Sequence, residues 1–399
     1  MILSHKIQLD PTFKQVAYFK RTAGTARFVW NWALAKWNEL YAAGEKPSEN
    51  SLRTLFNSTK YEEFPWLKDI HRDAHSRPFA TLQIAFSRFF KKLGRRPTFK
   101  SRKRSKDRFY FANDKFRVDG KTAFLPKLGR VRMRESLRFD GKIMSATVSR
   151  TADQWFIAIQ VDVGKYGRPQ TSEKSVGIDL GVKTAVTLST GEKLEGPKSG
   201  KKSLRLLARR NRQLARTQKG SKRREKARLR LAKLHARVSN IRNDFIHKWT
   251  TRICRENQAI GIEDLHVKGM VKNRKLARAV SDEGFGEVRR RLTYKAEIYG
   301  CRLQVFDRFY PSSKKCSNCG EVRETLTLSE RTFRCLSCGL EMDRDLNAAL
   351  NLVPGAPGEF TLVDRTAPAK KKVSLRKPSS KTSSRVEPRT KPLSGRKAS

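Results

Sequence analysis

Apolar positions in the N-terminal segment recur with the period of an α-helix. In IQLDPTFKQVAYFKRTAGTARFVWNWALAKW they return at steps of three and four, which places them on one helical face. This predicted stripe consists of Phe13, Val16, Phe19, Ala23, Ala26, Trp30, Ala33 and Trp37. Asp10 can cap the helix, and Pro11 suits its first position. A second helical block ends with FATLQIAFSRFFKK (79–92), so the pattern alone predicts a helical bundle.

The next segment changes to short alternating runs. After a basic, turn-rich strip (91–109) come RFYFAN, AFLP, RVRM, IMSATVSR and WFIAIQVDV, with glycines near the turns. This pattern predicts a small antiparallel barrel or sheet that ends near Val163. Aromatic and basic residues alternate here, as they do on surfaces that bind bases and phosphates, although most of the aromatics are expected in the core. The residues concerned are Phe109, Tyr110, Phe111, Trp155, Arg108, Arg117 and Arg132.

From Val176 the pattern becomes an α/β one. VGIDLGVKTAVTLSTG predicts a strand, a turn and a second strand, and QAIGIEDL (258–265) and CRLQVFDRF (301–309) predict two more strands. Residues 201–250 predict one or two long helices, and 281–299 predict another. In the first of these segments a packing seam is predicted through Ala227, Leu231, Leu234, Val238, Ile241, Phe245 and Trp249.

The net charge of the chain indicates what kind of partner it binds. The formal net charge is +50, from 88 basic and 38 acidic residues. Such an excess indicates a polyanion, and nucleic acid above all. The segment 201–250 holds eighteen basic residues and two acidic ones, so its polar face is expected to contact phosphates rather than to serve only as a solvated surface. The Pro/Ser/Lys/Arg-rich stretch that follows Leu352 is expected to be disordered.

The cellular setting is expected to be the cytoplasm or nucleoid. No apolar run reaches the roughly 18 residues of a membrane span, and MILSHKIQLDPTF does not have the pattern of a secretory signal. Cysteines in such a compartment are more often metal ligands than disulfides. Cys254 and Cys301 have no partner in the sequence pattern and are predicted to be buried thiols.

Three acidic residues stand at positions that suit metal-ion chemistry. Asp179 lies in the strand VGIDLG, Glu263 ends the strand AIGIE, and Asp345 begins the helical stretch DLNAALNL. Carboxylates at the ends of neighbouring strands, joined by one from a helix, can hold two Mg²⁺ ions that promote phosphodiester hydrolysis. Each also has a structural alternative, as a turn residue, a strand exit or a helix cap. Asp343 remains an alternative to Asp345 as the third ligand.

A double cysteine motif lies just before Asp345. Cys316-x2-Cys319-x15-Cys335-x2-Cys338 matches the spacing of structural zinc knuckles, in which four thiolates surround the ion. A complete shell leaves no open position, so this zinc is predicted to be structural. Disulfides and an iron–sulfur site are the alternatives.

The order of these motifs resembles a known family. GIDLGVKTAVTLSTG, GIEDLHVKGM, the double CxxC and DRDLNAALNL follow one another as in the TnpB (OrfB) nucleases of bacterial insertion sequences, relatives of the type V CRISPR effectors. ARFVWNWAL, AFSRFF and GSKRREKARLRLAKLHARVSNIRNDFIHK are also similar. The resemblance covers residues 1–353, and the C-terminal motifs are its specific part.

The resemblance implies an α+β multidomain fold. Its parts would be an RNase H-like (RuvC) α/β nuclease domain, an inserted zinc ribbon, a small oligonucleotide-binding-like β-barrel and a helical recognition lobe. The expected boundaries are 1–10 with 91–170 for the wedge-like β-barrel, 11–90 for the helical lobe, 171–314 with 341–353 for the nuclease domain, 315–340 for the ribbon and 354–399 for a disordered basic tail.

The resemblance also implies an activity. Asp179, Glu263 and Asp345 would form the catalytic triad and hold Mg²⁺, while Cys316, Cys319, Cys335 and Cys338 hold Zn²⁺. The family pairs a guide RNA, derived from the transposon end, with target double-stranded DNA beside a short recognition motif, and then cuts both strands. All three acidic positions are filled, so nothing in the motifs indicates an inactive derivative.

Other functions fit less of the sequence. GIDLG also opens the phosphate-binding strand of actin-like ATPases and sugar kinases, but the later glycine-rich phosphate loop is missing and a zinc ribbon is foreign to them. A catalytically silent nucleic-acid-binding regulator or a transposase accessory protein would differ only in its carboxylates. No tyrosine or serine constellation indicates strand transfer.

Overall fold

Seven antiparallel strands form the larger of the two main sheets in the computed structural model, which describes residues 1–164, 172–327 and 329–355. The strands are β1 (Ile2–Asp10), β2 (Arg108–Ala112), β3 (Arg117–Asp119), β4 (Thr122–Leu125), β5 (Gly129–Met133), β6 (Lys142–Thr151) and β7 (Gln154–Asp162). Their order is β2-β6-β7-β1-β5-β4-β3. The predicted antiparallel sheet is therefore confirmed, with the N-terminal strand inserted between β7 and β5.

Three helices follow β1 in the chain: α1 (Phe13–Ala42), α2 (Glu49–Glu63) and α3 (Asp73–Phe90). The first half of α1 packs on the seven-stranded sheet through Phe19 and Ala23. Its second half packs on α2 and α3, where Trp37 stacks on Phe86 with ring centroids 4.2 Å apart. One long amphipathic helix thus belongs to two cores.

The start of α1 corrects the sequence analysis. Asp10 is the last residue of β1, where it pairs with Arg132, and does not cap the helix. Thr12 is the cap instead, because its hydroxyl accepts the Gln15 N–H while the Gln15 side chain accepts the Thr12 N–H. Phe13, predicted to begin the buried stripe, is the first residue of the helix and is 89% exposed.

The second main sheet is mixed and has five strands. They are β8 (Ser175–Asp179), β9 (Val186–Leu188), β10 (Lys193–Leu194), β11 (Ala259–Glu263) and β12 (Arg302–Phe306). The order is β10-β9-β8-β11-β12, with β8, β11 and β12 parallel and the β8-β9-β10 meander antiparallel. Ile178, Ile260 and Ile262 are fully buried in its core.

Helices connect and cover these strands. Their bounds are α4 (Ser199–Lys202), α5 (Leu204–Ala215), α6 (Lys222–Glu256), α7 (Val267–Met270), α8 (Ala277–Glu283) and α9 (Phe285–Tyr299). The predicted seam of α6 is only partly correct, since Trp249 and Leu231 are buried but Ile241 is 41% exposed. The reason is that the core-facing side of the C-terminal half of α6 runs through Ile246, Trp249 and Ile253, and Ile241 lies beside that face.

A small two-stranded unit completes the described chain. It contains β13 (Thr332–Arg334) and β14 (Glu341–Asp343) and leads directly into α10 (Arg344–Asn351), which packs on β8 and β9. The cysteine motif therefore lies between β12 and α10, two elements that meet the same sheet. No helix among the described residues has the length and hydropathy to span a membrane. From residue 356 onward the predicted disordered tail (354–399) lies outside the described residues.

Candidate active site and metal centre

Two neighbouring parallel strands end in an acidic residue. β8 ends at Asp179 and β11 ends at Glu263, and their register pairs Gly177 with Gly261 and Ile178 with Ile262. The acidic residues therefore occupy the next matched positions, at the carboxyl ends of both strands. Since alternate side chains share a face of a strand, each acid points to the same face as the glycine two residues before it.

Those glycines allow α10 to reach the sheet. A Cβ atom at Gly177 would overlap the Ala349 carbonyl oxygen, and one at Gly261 would overlap the Leu352 carbonyl oxygen. The C-terminal end of α10 thus lies directly on the backbone of the two central strands. Its first turn, which carries Asp345, is consequently held over the face to which Asp179 and Glu263 point.

Asp343 and Asp345 have different surroundings. The Asp343 carboxylate caps α10, accepting the N–H groups of Asp345 and Leu346 at 3.0 Å each, and it also pairs with Lys193 at 2.8 Å. Although burial opposes it, Lys193 and the Leu346 N–H hold the pKa of Asp343 below its usual value. Asp345 lies one residue inside the helix and contacts the Arg344 guanidinium at 3.2 Å.

The carboxylate edge is defined as Asp179, Glu263 and Asp345, and burial opposes the ionisation of Asp179 and of Glu263. Burial raises the pKa of Asp179 to about 7, with further contributions from the charges of Asp345 and Glu263. Burial and the neighbouring Asp264 also raise the pKa of Glu263. The charges of Asp345 and Glu263 reach Asp179 because the three groups converge in a partly dry site.

Such a group of oxygens matches the needs of a hard divalent cation. Mg²⁺ prefers carboxylate oxygens and keeps several of its waters, so few protein ligands suffice. Two catalytic ions stand about 3.5–4 Å apart, so their ligands need not converge on one point. Indeed the carboxylates of this edge are spread more loosely than the cysteines, which are the only group in the described ranges whose donors gather within 4.8 Å.

The cysteine cluster, defined as Cys316, Cys319, Cys335 and Cys338, is compact. The sulfur atoms of Cys316 and Cys338 are 3.6 Å apart, and those of Cys319 and Cys335 are 3.5 Å apart. A tetrahedral zinc site with Zn–S distances of about 2.3 Å requires sulfurs about 3.8 Å apart. The cluster can therefore hold one metal ion, and its dimensions fit zinc.

The knuckle of Cys335 and Cys338 favours thiolates. The backbone N–H of Cys338 lowers the pKa of Cys335, and that of Leu340 lowers the pKa of Cys338 to about 6. In the other knuckle the Glu321 N–H lowers the pKa of Cys319, but hydrogen bonds with the neighbouring cysteine sulfurs outweigh it and raise that pKa to about 12. The backbone N–H groups can point at sulfur because each CxxC turn closes on a glycine of positive φ, Gly320 and Gly339. Cys254 and Cys301 lie outside this cluster and are buried, as predicted.

Two asparagines fasten α10 to the first knuckle. The fully buried Asn347 accepts the Ser317 N–H at 3.0 Å and donates to the Lys315 carbonyl at 2.7 Å. Asn351 donates to Lys315 as well, at 2.6 Å. The helix that carries Asp345 is thereby tied to the loop that carries Cys316, so the cysteine cluster and the carboxylate edge share one structural support.

A basic surface extends from the five-stranded sheet along α5 and α6. No residue of α5 is buried, and Arg205, Arg209, Arg212 and Arg216 are all exposed. On α6 the exposed basic residues include Lys222, Arg223, Lys226, Arg228 and Arg230. This α5–α6 surface offers many cations to a polyanion with few acidic groups among them.

Sequence reasoning missed the residues that assemble the site. Gly177 and Gly261 carried a usable signal, since each stands two residues before an acid in GID and GIE. Asn347 and Asn351 lie on one face of DLNAALNL at i and i+4 spacing, but nothing in that pattern named their partner loop. Asp264, next to Glu263, pairs with Arg289 and Arg308, which come from α9 and from the turn after β12.

Comparison with known families assigns most of the chain. The OrfB IS605 model, described as "Probable transposase", matches residues 158–274, and the model for a "Cas12f1-like, TNB domain" matches residues 285–352. A "Helix-turn-helix domain" model of the OrfB type matches residues 1–46, where the structure has β1 and the uninterrupted helix α1.

Curated proteins match over nearly the same length. The chain is 38% identical over 354 residues to a Streptomyces pristinaespiralis protein that is named as an RNA-guided DNA endonuclease, covering 87% of this chain and 88% of that one. It is 34% identical to InsQ of Escherichia coli K12, which carries the same kind of name, covering 87% and 90%. Among solved structures, CasPhi-2 (Cas12j) bound to crRNA matches at 12% identity, with a TM-score of 0.45 and coverage of 88% and 97%.

Proposed function

Because the chain belongs to the TnpB (OrfB) family, whose relatives are named RNA-guided DNA endonucleases, we propose that it cuts double-stranded target DNA under the direction of a guide RNA. The reaction would be hydrolysis of phosphodiester bonds and would depend on Mg²⁺. The protein would act on DNA in the cytoplasm or nucleoid, and the guide would come from the transposable element that encodes it.

The convergence of Asp179, Glu263 and Asp345 is the observation that carries this proposal. Two parallel strands and one helix bring the carboxylates to a single edge, where burial and neighbouring negative charges raise the pKa values of Asp179 and Glu263. In this proposal the three side chains hold the Mg²⁺ ions. When bound, the ions would supply an activated water and stabilisation of the leaving oxygen.

The remaining side chains around the edge would orient these ligands. Arg344 contacts Asp345 through one nitrogen and the Glu330 carbonyl, at 2.9 Å, through another, which restrains the carboxylate from the ribbon side. Asp343 would act as a helix cap and not as a ligand, since its oxygens are already bound to two backbone N–H groups and Lys193. With a single edge of this type, the two strands of a target would be cut in turn.

The α5–α6 surface would hold nucleic acid through its backbone. Base pairing between guide and target supplies sequence specificity in RNA-guided enzymes, while the protein contacts phosphates. Arginines without acidic neighbours suit that task because phosphate contacts are electrostatic and independent of sequence. The surface therefore supports a heteroduplex or guide-RNA site beside the five-stranded sheet.

The finer domain assignments belong to the same proposal. The five-stranded sheet with α10 would be the RuvC-like nuclease domain, and the cysteine cluster would be a structural zinc ribbon inserted in it. The seven-stranded sheet would be the oligonucleotide-binding-like wedge, and α2, α3 and the second half of α1 the recognition lobe. In the wedge Phe109, Phe111 and Trp155 are buried, so those rings serve its core, as expected.

Purification with the native locus tests the proposal. The protein is co-expressed with its flanking DNA, the bound RNA is sequenced, and the particle is incubated with plasmids that carry the guide-matched target beside a randomised flank. We expect a locus-derived RNA and Mg²⁺-dependent linear product from a subset of flanks. Absence of such an RNA would refute guidance, and cleavage by an Asp179→Ala particle would refute the assigned site.

A further inference from the structure

The turn after β12 exposes an aromatic ring in a defined conformation. Phe309 is 85% exposed, and its backbone N–H donates to the Asp307 carboxylate at 2.8 Å. The Tyr310 N–H donates to the Asp307 carbonyl at 3.0 Å, and the Tyr310 ring packs on Phe306 with centroids 5.0 Å apart. The ring of Phe309 is thus presented to solvent by a turn that is fixed at both ends.

This turn lies at the carboxylate edge. β12 is the parallel neighbour of β11, and Phe306 pairs with Glu263 in their register. Phe309 follows three residues later, and three residues span at most about 10 Å. The exposed ring is therefore close to Glu263, at the end of the sheet where the carboxylates converge.

Two arginines flank the same place. Asp264, the residue after Glu263, accepts hydrogen bonds from Arg289 on α9 and from Arg308, at 2.9 Å for the latter. Both guanidinium groups are partly exposed, and each has five N–H donors, more than the contact with Asp264 uses. The carboxylate of Asp264 holds two cations in position without covering them.

We propose that Phe309, Arg308 and Arg289 form a strand grip for single-stranded DNA beside the catalytic edge. Phe309 stacks on an unpaired base, and the two arginines bind the phosphates next to the bond that is cut. This inference rests on the proposed function. A base inside a duplex has no open face, so an exposed ring at this position selects a strand that has already been separated.

Charge favours DNA over a protein partner for this surface. Exposed apolar residues scattered singly are ordinary on protein surfaces, so exposure alone would not identify a site. Here the ring stands next to Arg308, and Lys315 lies over the neighbouring Tyr310 ring at 5.7 Å. An aromatic ring among cations is the arrangement found in grooves that bind single strands.

A binding experiment tests the ring without requiring cleavage. Protein–RNA particles that carry Asp179→Ala are titrated with a short single-stranded DNA containing 2-aminopurine, and quenching and anisotropy are followed. Phe309→Ala should weaken binding about 10-fold and abolish the quenching, since stacking on one base is worth that much. Phe309→Tyr should keep both signals. Phe13→Ala, which removes an equally exposed phenylalanine from the start of α1, should leave both unchanged.

Cleavage kinetics test the arginines. With active particles and a pre-opened target, Arg308→Ala and Arg289→Ala should raise the strand concentration needed for half-maximal rate several-fold. Arg290→Ala on the same helix, whose side chain pairs with Glu287, serves as the control and should match the unmutated protein.

The grip is refuted if Phe309→Ala binds single strands as Phe13→Ala does, or if Phe309→Tyr is as weak as Phe309→Ala. Unchanged single-strand binding would also be the result if Phe309 contacts another protein. Failure of the proposed function looks different, because the unmutated particle would then not cut any target.

Discussion

The cysteine cluster and the carboxylate edge are two candidate metal sites built in opposite ways. The four cysteines come from one short stretch of chain, and their sulfur atoms lie within 4.8 Å of one another. The three carboxylates come from β8, β11 and α10, which are distant in sequence, and they gather less tightly. One site is thus encoded locally, while the other exists only when a whole sheet has folded.

The cysteine cluster and the carboxylate edge also differ in how their surroundings shift the pKa values of their ligands. Backbone N–H groups of the second knuckle lower the pKa of Cys335 and Cys338, so these two cysteines are stabilised as thiolates. At the carboxylate edge, burial and like charges raise the pKa of Asp179 to about 7. The cysteine cluster suits an ion that stays bound and supports the fold. At the carboxylate edge, the negative charges repel one another until cations neutralise them.

Loss of the cysteine cluster should have the largest effect on folding and cleavage. We expect Cys335→Ser to lose zinc, because ligand loss opens a tetrahedral thiolate site and metal binding is coupled to folding. Asn347 and Asn351 would then lose their partner loop, so α10 should detach and cleavage should fall below detection. Zinc content, proteolysis of the C-terminal half and plasmid cleavage measure this.

Cys301→Ser provides the matched control, since that thiol is buried outside the cluster. It should keep one zinc ion per chain. Full zinc content in Cys335→Ser would show that the cluster does not hold the metal.

A methyl group added at Gly261, beneath α10, should affect the carboxylate edge but not the cysteine cluster. Gly261→Ala would place a Cβ against the Leu352 carbonyl, and overpacking of this kind costs about 1–3 kcal/mol. We expect a lower Tm and much slower cleavage with normal zinc content. Gly24→Ala, at a helical position with no atom within 4 Å, should instead raise stability by up to about 1 kcal/mol. Equal Tm values for the two variants would contradict the close approach of α10.

The raised pKa of Asp179 predicts an unusual pH dependence in metal-free protein. The folded pKa of about 7 exceeds the ordinary value of 3.8, so the favourable contribution of protonated Asp179 is complete below 3.8 and is lost as pH rises through about 7. Asp179→Asn should therefore raise the Tm at pH 8 and remove this part of the pH dependence. Added Mg²⁺ should stabilise the unmutated protein more than the variant. A lower Tm for Asp179→Asn at pH 8 would contradict the electrostatic account.

The smallest effect should come from Asp343. Asparagine is as good a helix cap as aspartate, so Asp343→Asn should retain nearly full stability and cleavage within a few-fold of the unmutated protein. Asp343→Ala should cost about 0.5–2 kcal/mol through loss of the cap. Asp345→Asn should abolish cleavage while changing stability little. If Asp343→Asn is the inactive variant, the two residues have been assigned the wrong way round.

The local features were predictable from the sequence, whereas the contacts between distant segments were not. The CxxC spacing, the acidic residues in GID and GIE and the long helices of 201–250 were all readable, because each depends on neighbours in the chain. The cap at Thr12 was missed because Asp10 is drawn into β1 by pairing with Arg132, a tertiary contact. Ile241 was misassigned because several apolar faces of α6 satisfy the same three- and four-residue steps, and only the fold shows that the core contacts the face of Ile246, Trp249 and Ile253.

The carboxylate edge was hard to predict for the same reason, because contacts between distant segments build it. Nothing in DLNAALNL indicates that α10 rests on two strand glycines, or that Asn347 reaches back to Lys315. Arg289 and Arg308 were likewise unremarkable in sequence until the fold brought both to Asp264. Partners from separate elements become visible only when the sheet order and register are known.

Separating the two metals tests the central claim most directly. The RNA-bound particle is desalted into buffer without divalent cations, its zinc content is measured, and its cleavage of target plasmid is followed before and after Mg²⁺ is added. We predict one zinc ion per chain throughout, no cleavage without Mg²⁺ and full cleavage on its addition. Cleavage that persists without Mg²⁺, or that returns only with added zinc, would contradict the assignment of catalytic Mg²⁺ to the carboxylate edge and of structural zinc to the cysteine cluster.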